Sequence, residues 1–140
     1  MKKIIAMILV VVVCFSLSAC GKVKVEEAII GDWTYDYTYN TDLVTYGDRN
    51  DPNRHIGKGD PVTNTMSFFE GGTYKLVATN TNTGYEHTMF SGTWEMKDGV
   101  VVISASLGLE SGSYSLAVNT ESEPYTFTFM GNDTVYTKVM

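Results

Sequence analysis

The clearest pattern in the chain is the alternation from Gly31 to Tyr39. Trp33, Tyr35, Tyr37 and Tyr39 occupy one set of positions, and Asp32, Thr34, Asp36 and Thr38 the other. Successive residues of an extended strand face opposite sides of a sheet, so this stretch predicts a half-buried strand with one aromatic face. A helix would scatter the four rings around its axis. After the turn Asn40-Thr41-Asp42 and the short run Leu43–Tyr46, the period disappears. Gly47 to Asp60 is dense in turn formers and nearly devoid of apolar residues, which predicts a long exposed loop.

Alternation returns at Thr65 and continues to the end of the chain. Strands are expected over Thr65–Glu70, Thr73–Thr79, Tyr85–Met96, Val100–Ser106, Ser113–Asn119, Tyr125–Met130 and Thr134–Val139. Gly71-Gly72 and Lys97-Asp98-Gly99 read as tight hairpin turns. Ser91-Gly92 suggests a kink in the longest strand. The Val-Val-Val-Ile run from Val100 predicts burial on both faces or a central place. Leu107–Gly112 is expected to be a loop. Val25–Ile30 is the one helix candidate after the N-terminal segment, and it is too short to hold without packing. About eight strands joined by short connections imply an antiparallel meander. Closure removes exposed edges where neither disulfides nor covering helices do so. The expected fold class is therefore all-β: a small antiparallel up-and-down β-barrel of about eight strands with one short N-terminal helical turn.

The N-terminus has a different pattern. Met1-Lys2-Lys3, the apolar run Ile4–Phe15 and Ser16-Leu17-Ser18-Ala19-Cys20 form a charged region, a hydrophobic region and a small-residue cleavage site, as in a secretory signal peptide. The run falls short of the roughly 20 residues of a spanning helix. Leu17-Ser18-Ala19-Cys20-Gly21 resembles the lipobox of bacterial lipoproteins. That resemblance implies a diacylglyceryl group on the Cys20 sulfur and cleavage before it, anchoring the protein on the extracytoplasmic face of the cell membrane. Two acyl chains suffice for stable attachment. Cys14 would leave with the signal peptide, so no cysteine would remain for a disulfide or a metal site. The expected organisation is a cleaved signal peptide over 1–19, lipidated Cys20 with a short tether over 20–28, and a barrel domain over 29–140.

Loss of Lys2 and Lys3 takes the bases from 10 to 8 against 16 acids, so the net charge moves from −6 to −8. An acidic domain argues against nucleic acid and against broad adhesion to anionic head groups.

Within the barrel segment the order of four motifs carries a second resemblance. Gly31-Asp-Trp33 opens the first strand and Phe69-Glu-Gly-Gly-Thr-Tyr74 forms the next hairpin. Gly92-Thr-Trp94 follows in mid-chain, and a last hairpin ends Val135-Tyr-Thr-Lys-Val139. Together they resemble the bacterial lipocalin-like domain lipoproteins over residues 29–140. The resemblance implies a barrel closed at one end by a short helix, with Trp33 packed there as a plug and a cavity or shallow cup at the other end. Trp94 is expected to fill the barrel end in the same way. The chain is shorter than true lipocalins and lacks their disulfide and C-terminal helix, which favours a barrel largely filled by its own rings.

Candidate chemistry is binding rather than catalysis. Tyr35, Tyr37 and Tyr39, joined by Tyr74, Tyr114 and Phe127, are the candidate ligand contacts, offering ring faces to apolar surface and hydroxyls to polar atoms. Tyr37 and Tyr39, nearest the long loop, are the pair to test first. Asp32 and Asp36 stand about 13 Å apart along a strand, too far for a glycosidase pair at roughly 5–9.5 Å. Asp48, Asn50, Asp51, Asn53 and Asp60 suit turns, and Pro52 breaks the register a calcium loop needs. His55 and His87 match no zinc spacing, and Gly112-Ser-Tyr-Ser is not a nucleophile elbow. The chain is expected to be no enzyme and to use no cofactor or metal. Its expected partners are the membrane, through Cys20, and a small apolar or amphipathic ligand. The alternative is a filled barrel that binds an envelope protein through its loops.

Overall fold

The structure is a computed structural model that describes residues 23–107 and 110–140. The expected signal peptide and Cys20 lie outside the described residues. The elements are helix α1 (Val25–Ala28) and strands β1 (Gly31–Thr38), β2 (Tyr46–Gly47), β3 (His55–Ile56), β4 (Pro61–Phe68), β5 (Thr73–Asn80), β6 (Glu86–Lys97), β7 (Val100–Leu107), β8 (Glu110–Asn119), β9 (Thr126–Phe129) and β10 (Val135–Lys138). Eight of the strands close into one antiparallel barrel in the order β1-β10-β9-β8-β7-β6-β5-β4, with β4 returning to β1. Each barrel strand is thus hydrogen-bonded to the barrel strands before and after it in sequence, the up-and-down arrangement that the succession of short turns predicts. Strands β2 and β3 form a separate two-stranded ribbon inserted between β1 and β4.

Four local expectations change. Strand β4 begins at Pro61, not Thr65, because β1 pairs along its whole length from Gly31↔Phe68 to Thr38↔Pro61. A proline is tolerated there as the first residue of a strand. Residues 110–112, expected in a loop, start β8 by pairing with Ala105 to Leu107. The irregularity in β6 falls at Met89, not Ser91-Gly92: Leu76 pairs with Phe90 and Val77 with Thr88, leaving Met89 as the extra residue of a bulge. The apolar strand β7 is half-buried rather than buried on both faces. Val101, Ile103 and Ala105 point inward, while Val102 and Ser104 are only partly covered on the outside. The Asp98-Gly99 connection behaves as the sequence suggests. Both residues have positive φ, 52° and 77°, the geometry of a two-residue hairpin turn with matching twist.

The helix end is closed by packing. Ile29 and Trp33 are fully buried. The Trp33 Nε1–H donates to the Ile29 carbonyl at 2.8 Å. Lys138 Nζ donates to the carbonyls of Ala28 and Ile30 and lies 5.5 Å from the centre of the Trp33 ring. A single helical turn leaves its last carbonyls without intrahelical partners, and Lys138 reaches back from β10 to supply donors. Around Trp33 the interior is filled by rings. Phe127 lies 5.1 Å from Trp33 and stacks on Tyr136 at 4.8 Å, and Phe68 meets Phe127 edge-on at 6.0 Å.

Candidate functional site

Strand β1 runs away from α1, so the connection to β4 and the β5–β6 and β9–β10 turns lie at the opposite end, the barrel mouth. The ribbon covers part of that mouth. Ile56 is fully buried and packs with Tyr39, Val62 and Ala78, flanked by Tyr37, Tyr46, Tyr85 and Met89. The expectation of an exposed loop over Gly47–Asp60 is thus corrected: its lone large apolar residue folds inward and anchors a lid. Polar contacts fix the lid. The Tyr39 hydroxyl donates to the Val44 carbonyl at 3.0 Å. The buried Asn80 amide donates to the His55 carbonyl at 3.1 Å. Tyr46 stacks on His87 with centroids 4.6 Å apart. The loop acids are used in turns: the Asp48 and Asp51 carboxylates accept from the Asn50 and Asn53 amides, each at 2.9 Å, and Asp60 accepts from Gly57 at 2.8 Å. Among the described residues no three His, Cys, Asp or Glu side chains gather as metal ligands.

The part of the mouth beside β6–β9 holds a recess of about 370 Å³. Its walls are Phe90, Ile103, Ala105, Tyr114, Phe129 and Met130, with the Gly131-Asn132 turn at the rim. The recess follows from strand register. Tyr74 pairs with Gly92, Gly92 with Ala105, and Ala105 with Gly112. Three small residues therefore stand side by side across β6, β7 and β8, where larger side chains would fill the barrel. A tyrosine lies over each flanking glycine. A Cβ at Gly92 would meet the Ser104 carbonyl oxygen at 2.0 Å and the Tyr74 ring at 3.1 Å; one at Gly112 would meet the hydroxyl end of Tyr114 at 3.3 Å. A wider trough of about 600 Å³ at the helix end is lined mostly by charged side chains, Lys24, Glu26, Glu27 and Glu70, beside Ile30 and Trp94, and it is a solvated surface.

The candidate contacts read from the sequence separate into groups. Tyr114 lines the recess and is half exposed. Tyr74 is buried behind it and meets Phe90 edge-on at 6.5 Å. Phe127 belongs to the packed interior. Tyr35 and Tyr37 stack on each other at 5.6 Å, Tyr35 lies 5.7 Å from Tyr136, and Tyr39 holds the lid. Trp33 fills the helix end, whereas Trp94 is half-buried, donating from Nε1 to the Phe69 carbonyl at 2.9 Å beside the edge of Phe68. Phe90, Ile103, Ala105, Phe129 and Met130 were not singled out in sequence. Only knowledge of the Gly92–Ala105–Gly112 register would have marked them.

Among the described residues the recess presents ring faces, methyl groups and one phenol, that of Tyr114. Burial pushes the Tyr74 hydroxyl above its ordinary value of about 10, and the nearby Tyr114 raises it further. Tyr37 and Tyr136 are raised by burial, with the Asn64 amide acting in the opposite direction. At neutral pH these phenols are donors rather than bases. Among the described residues the walls of the recess carry no carboxylate, imidazole or ammonium group. Compared with known proteins, the chain matches no family model, no curated protein and no solved structure.

Proposed function

We propose that this protein is a lipid-anchored extracytoplasmic barrel of lipocalin-like type that binds a small apolar or amphipathic ligand and performs no chemistry on it. The observation that carries the reading is the recess, a concave apolar site at the mouth of an otherwise ring-filled barrel, within the size range of small-molecule sites. The up-and-down closure with a helix at one end supports the lipocalin-like assignment. The Leu17–Gly21 motif supports lipidation at Cys20, and a lipid there would be joined to the barrel through α1, which lies at its closed side.

The test is binding of the neutral fluorophore N-phenyl-1-naphthylamine. The parent protein is expected to enhance its emission, and Ala105→Leu, which fills the recess, to abolish the enhancement while keeping the far-ultraviolet spectrum of a barrel. Equal enhancement by both proteins, or none by the parent, would refute the reading. A second reading, a protein-binding module acting through the mouth, draws on Leu43, which is 88% exposed beside the lid. It predicts that Leu43→Ser removes a partner while leaving fluorophore binding untouched.

A further inference from the structure

The two strands that complete the barrel wall between β8 and β1 are short. Strands β9 and β10 have four residues each, whereas β8 has ten and β1 eight. Strand β9 pairs with β8 only from Leu116 to Asn119, while β7 pairs with β8 from Glu110 to Leu116. The Met130 N–H donates to the Ser115 carbonyl at 2.9 Å, and the chain then turns back, with the Asn132 N–H bonded to the Phe129 carbonyl at 3.0 Å. The backbone groups of an antiparallel strand face each neighbour at alternate residues, so those of Ser111 and Ser113 face the same side as Ser115. Among the described residues no strand stands there to receive them. Strand β1 is left open in the same way: β10 meets it at Trp33 and Thr34, and no described strand follows beside Asp36 and Thr38. The mouth half of the wall therefore has a notch above the β9–β10 hairpin.

The recess lies beside this notch. Its row of small residues, Gly92, Ala105 and Gly112, ends at β8, and the next place in the row is the one no described strand fills. Tyr114 points inward opposite Ile103, yet it is 53% exposed, and Met130 at the foot of the notch is 58% exposed. The missing strand accounts for both. We infer that the free edge of β8 takes an extended peptide segment of another protein, which adds as an antiparallel strand beside Ser111 and Ser113 and puts one large apolar side chain into the recess. This rests on the binding role proposed above for the recess and names the ligand class. An unpaired strand edge is a template for another backbone, with pockets for alternate side chains setting the choice of sequence. Residues paired across two strands point to the same face, so the residue opposite Gly112 points inward, where Gly112 has no side chain to compete and the Tyr114 ring forms a wall. A volume of about 370 Å³ admits an aromatic ring. Charge selects the flanks of the segment. The chain carries a net −6, Glu110 begins the free edge and Asp133 lies in the connection at its foot, so basic flanking residues suit it. The same net charge opposes pairing of two copies.

The probe is the peptide acetyl-Lys-Thr-Phe-Thr-Lys-amide, titrated into isotope-labelled protein and followed by NMR. The parent is expected to bind it and to gain protection of the Ser113 amide against exchange. Methylating both Thr nitrogens, which face β8 when Phe lies opposite Gly112, weakens binding about tenfold; methylating the Phe nitrogen, which faces away, leaves binding unchanged. Ser113→Pro removes the edge donor on the side away from β7, a place where a strand tolerates proline. It is expected to lose the peptide and still enhance N-phenyl-1-naphthylamine emission. The methylated peptides are compared on the parent protein, so the test stands even if that variant does not fold. Equal binding of the two methylated peptides, or fluorophore binding by a parent that ignores the peptide, overturns the inference and leaves the recess a binding site. A parent that is dimeric by light scattering, and monomeric as Ser113→Pro, overturns it in favour of a second copy at the same edge. Failure of the parent to bind either peptide or fluorophore overturns the inference and the binding role together.

Discussion

At the scale of single residues, two side chains hold the closed end. Trp33 contributes volume and a donor, and Lys138 contributes donors to carbonyls that α1 leaves unpaired. Trp33→Phe keeps a ring but deprives the Ile29 carbonyl of its partner, so we expect a loss of about 1–3 kcal/mol and a Tm lower by roughly 5–10 °C, measured by thermal denaturation. Lys138→Met retains the apolar stem and removes the charge. Burial lowers the Lys138 pKa, so its charged form is disfavoured in the fold, and part of what its hydrogen bonds contribute is offset. A smaller loss than for Trp33→Phe is therefore expected in the same measurement.

Strands with a strict period were legible from sequence, and elements without one were not. Trp33, Tyr35 and Tyr37 announce β1 because one buried face repeats every second residue. The β2–β3 ribbon has two residues per strand, so no period exists to detect, and Ile56 is a single apolar residue among turn formers. Its burial depends on where β4 and β5 place Val62 and Ala78. The recess was hidden for a related reason: Gly92 and Gly112 stand out in sequence only within other motifs, and with Ala105 they become a cavity only when three strands bring them abreast. If the lid is a separate cooperative unit, Ile56→Ala, costing about 2–5 kcal/mol locally, should speed amide exchange at Tyr46, Gly47 and Ile56 while the amides of β7 and β8 keep their protection. Equal acceleration across the barrel would show that lid and barrel unfold as one.

For the molecule as a whole, the buried phenols set an alkaline limit. Tyr37, Tyr39, Tyr74 and Tyr136 all have raised values through burial. The unfolded chain loses these protons first, so their contribution is complete below pH about 10 and is lost as the pH rises toward the folded values. Lys138 acts in the opposite sense: with a lowered folded value it gains stability as pH rises between its folded and unfolded values. Four groups against one predict cooperative unfolding above pH about 10, with tyrosinate absorbance and circular dichroism changing together. In cells, Cys20→Ser is expected to move the protein from the membrane fraction to the soluble one. The shortest seam of the barrel lies between β1 and β10, with two residue pairs against eight between β1 and β4. Both strands of that seam reach the helix end, where Lys138 joins them. A pull that separates those two ends loads the pairs one after another rather than all at once, as in opening a zip, and the Lys138 contacts bear the force first. Were the chain held by a lipid on Cys20, as proposed, the barrel would be mechanically weakest beside that attachment, with the lid and the recess at the unloaded end.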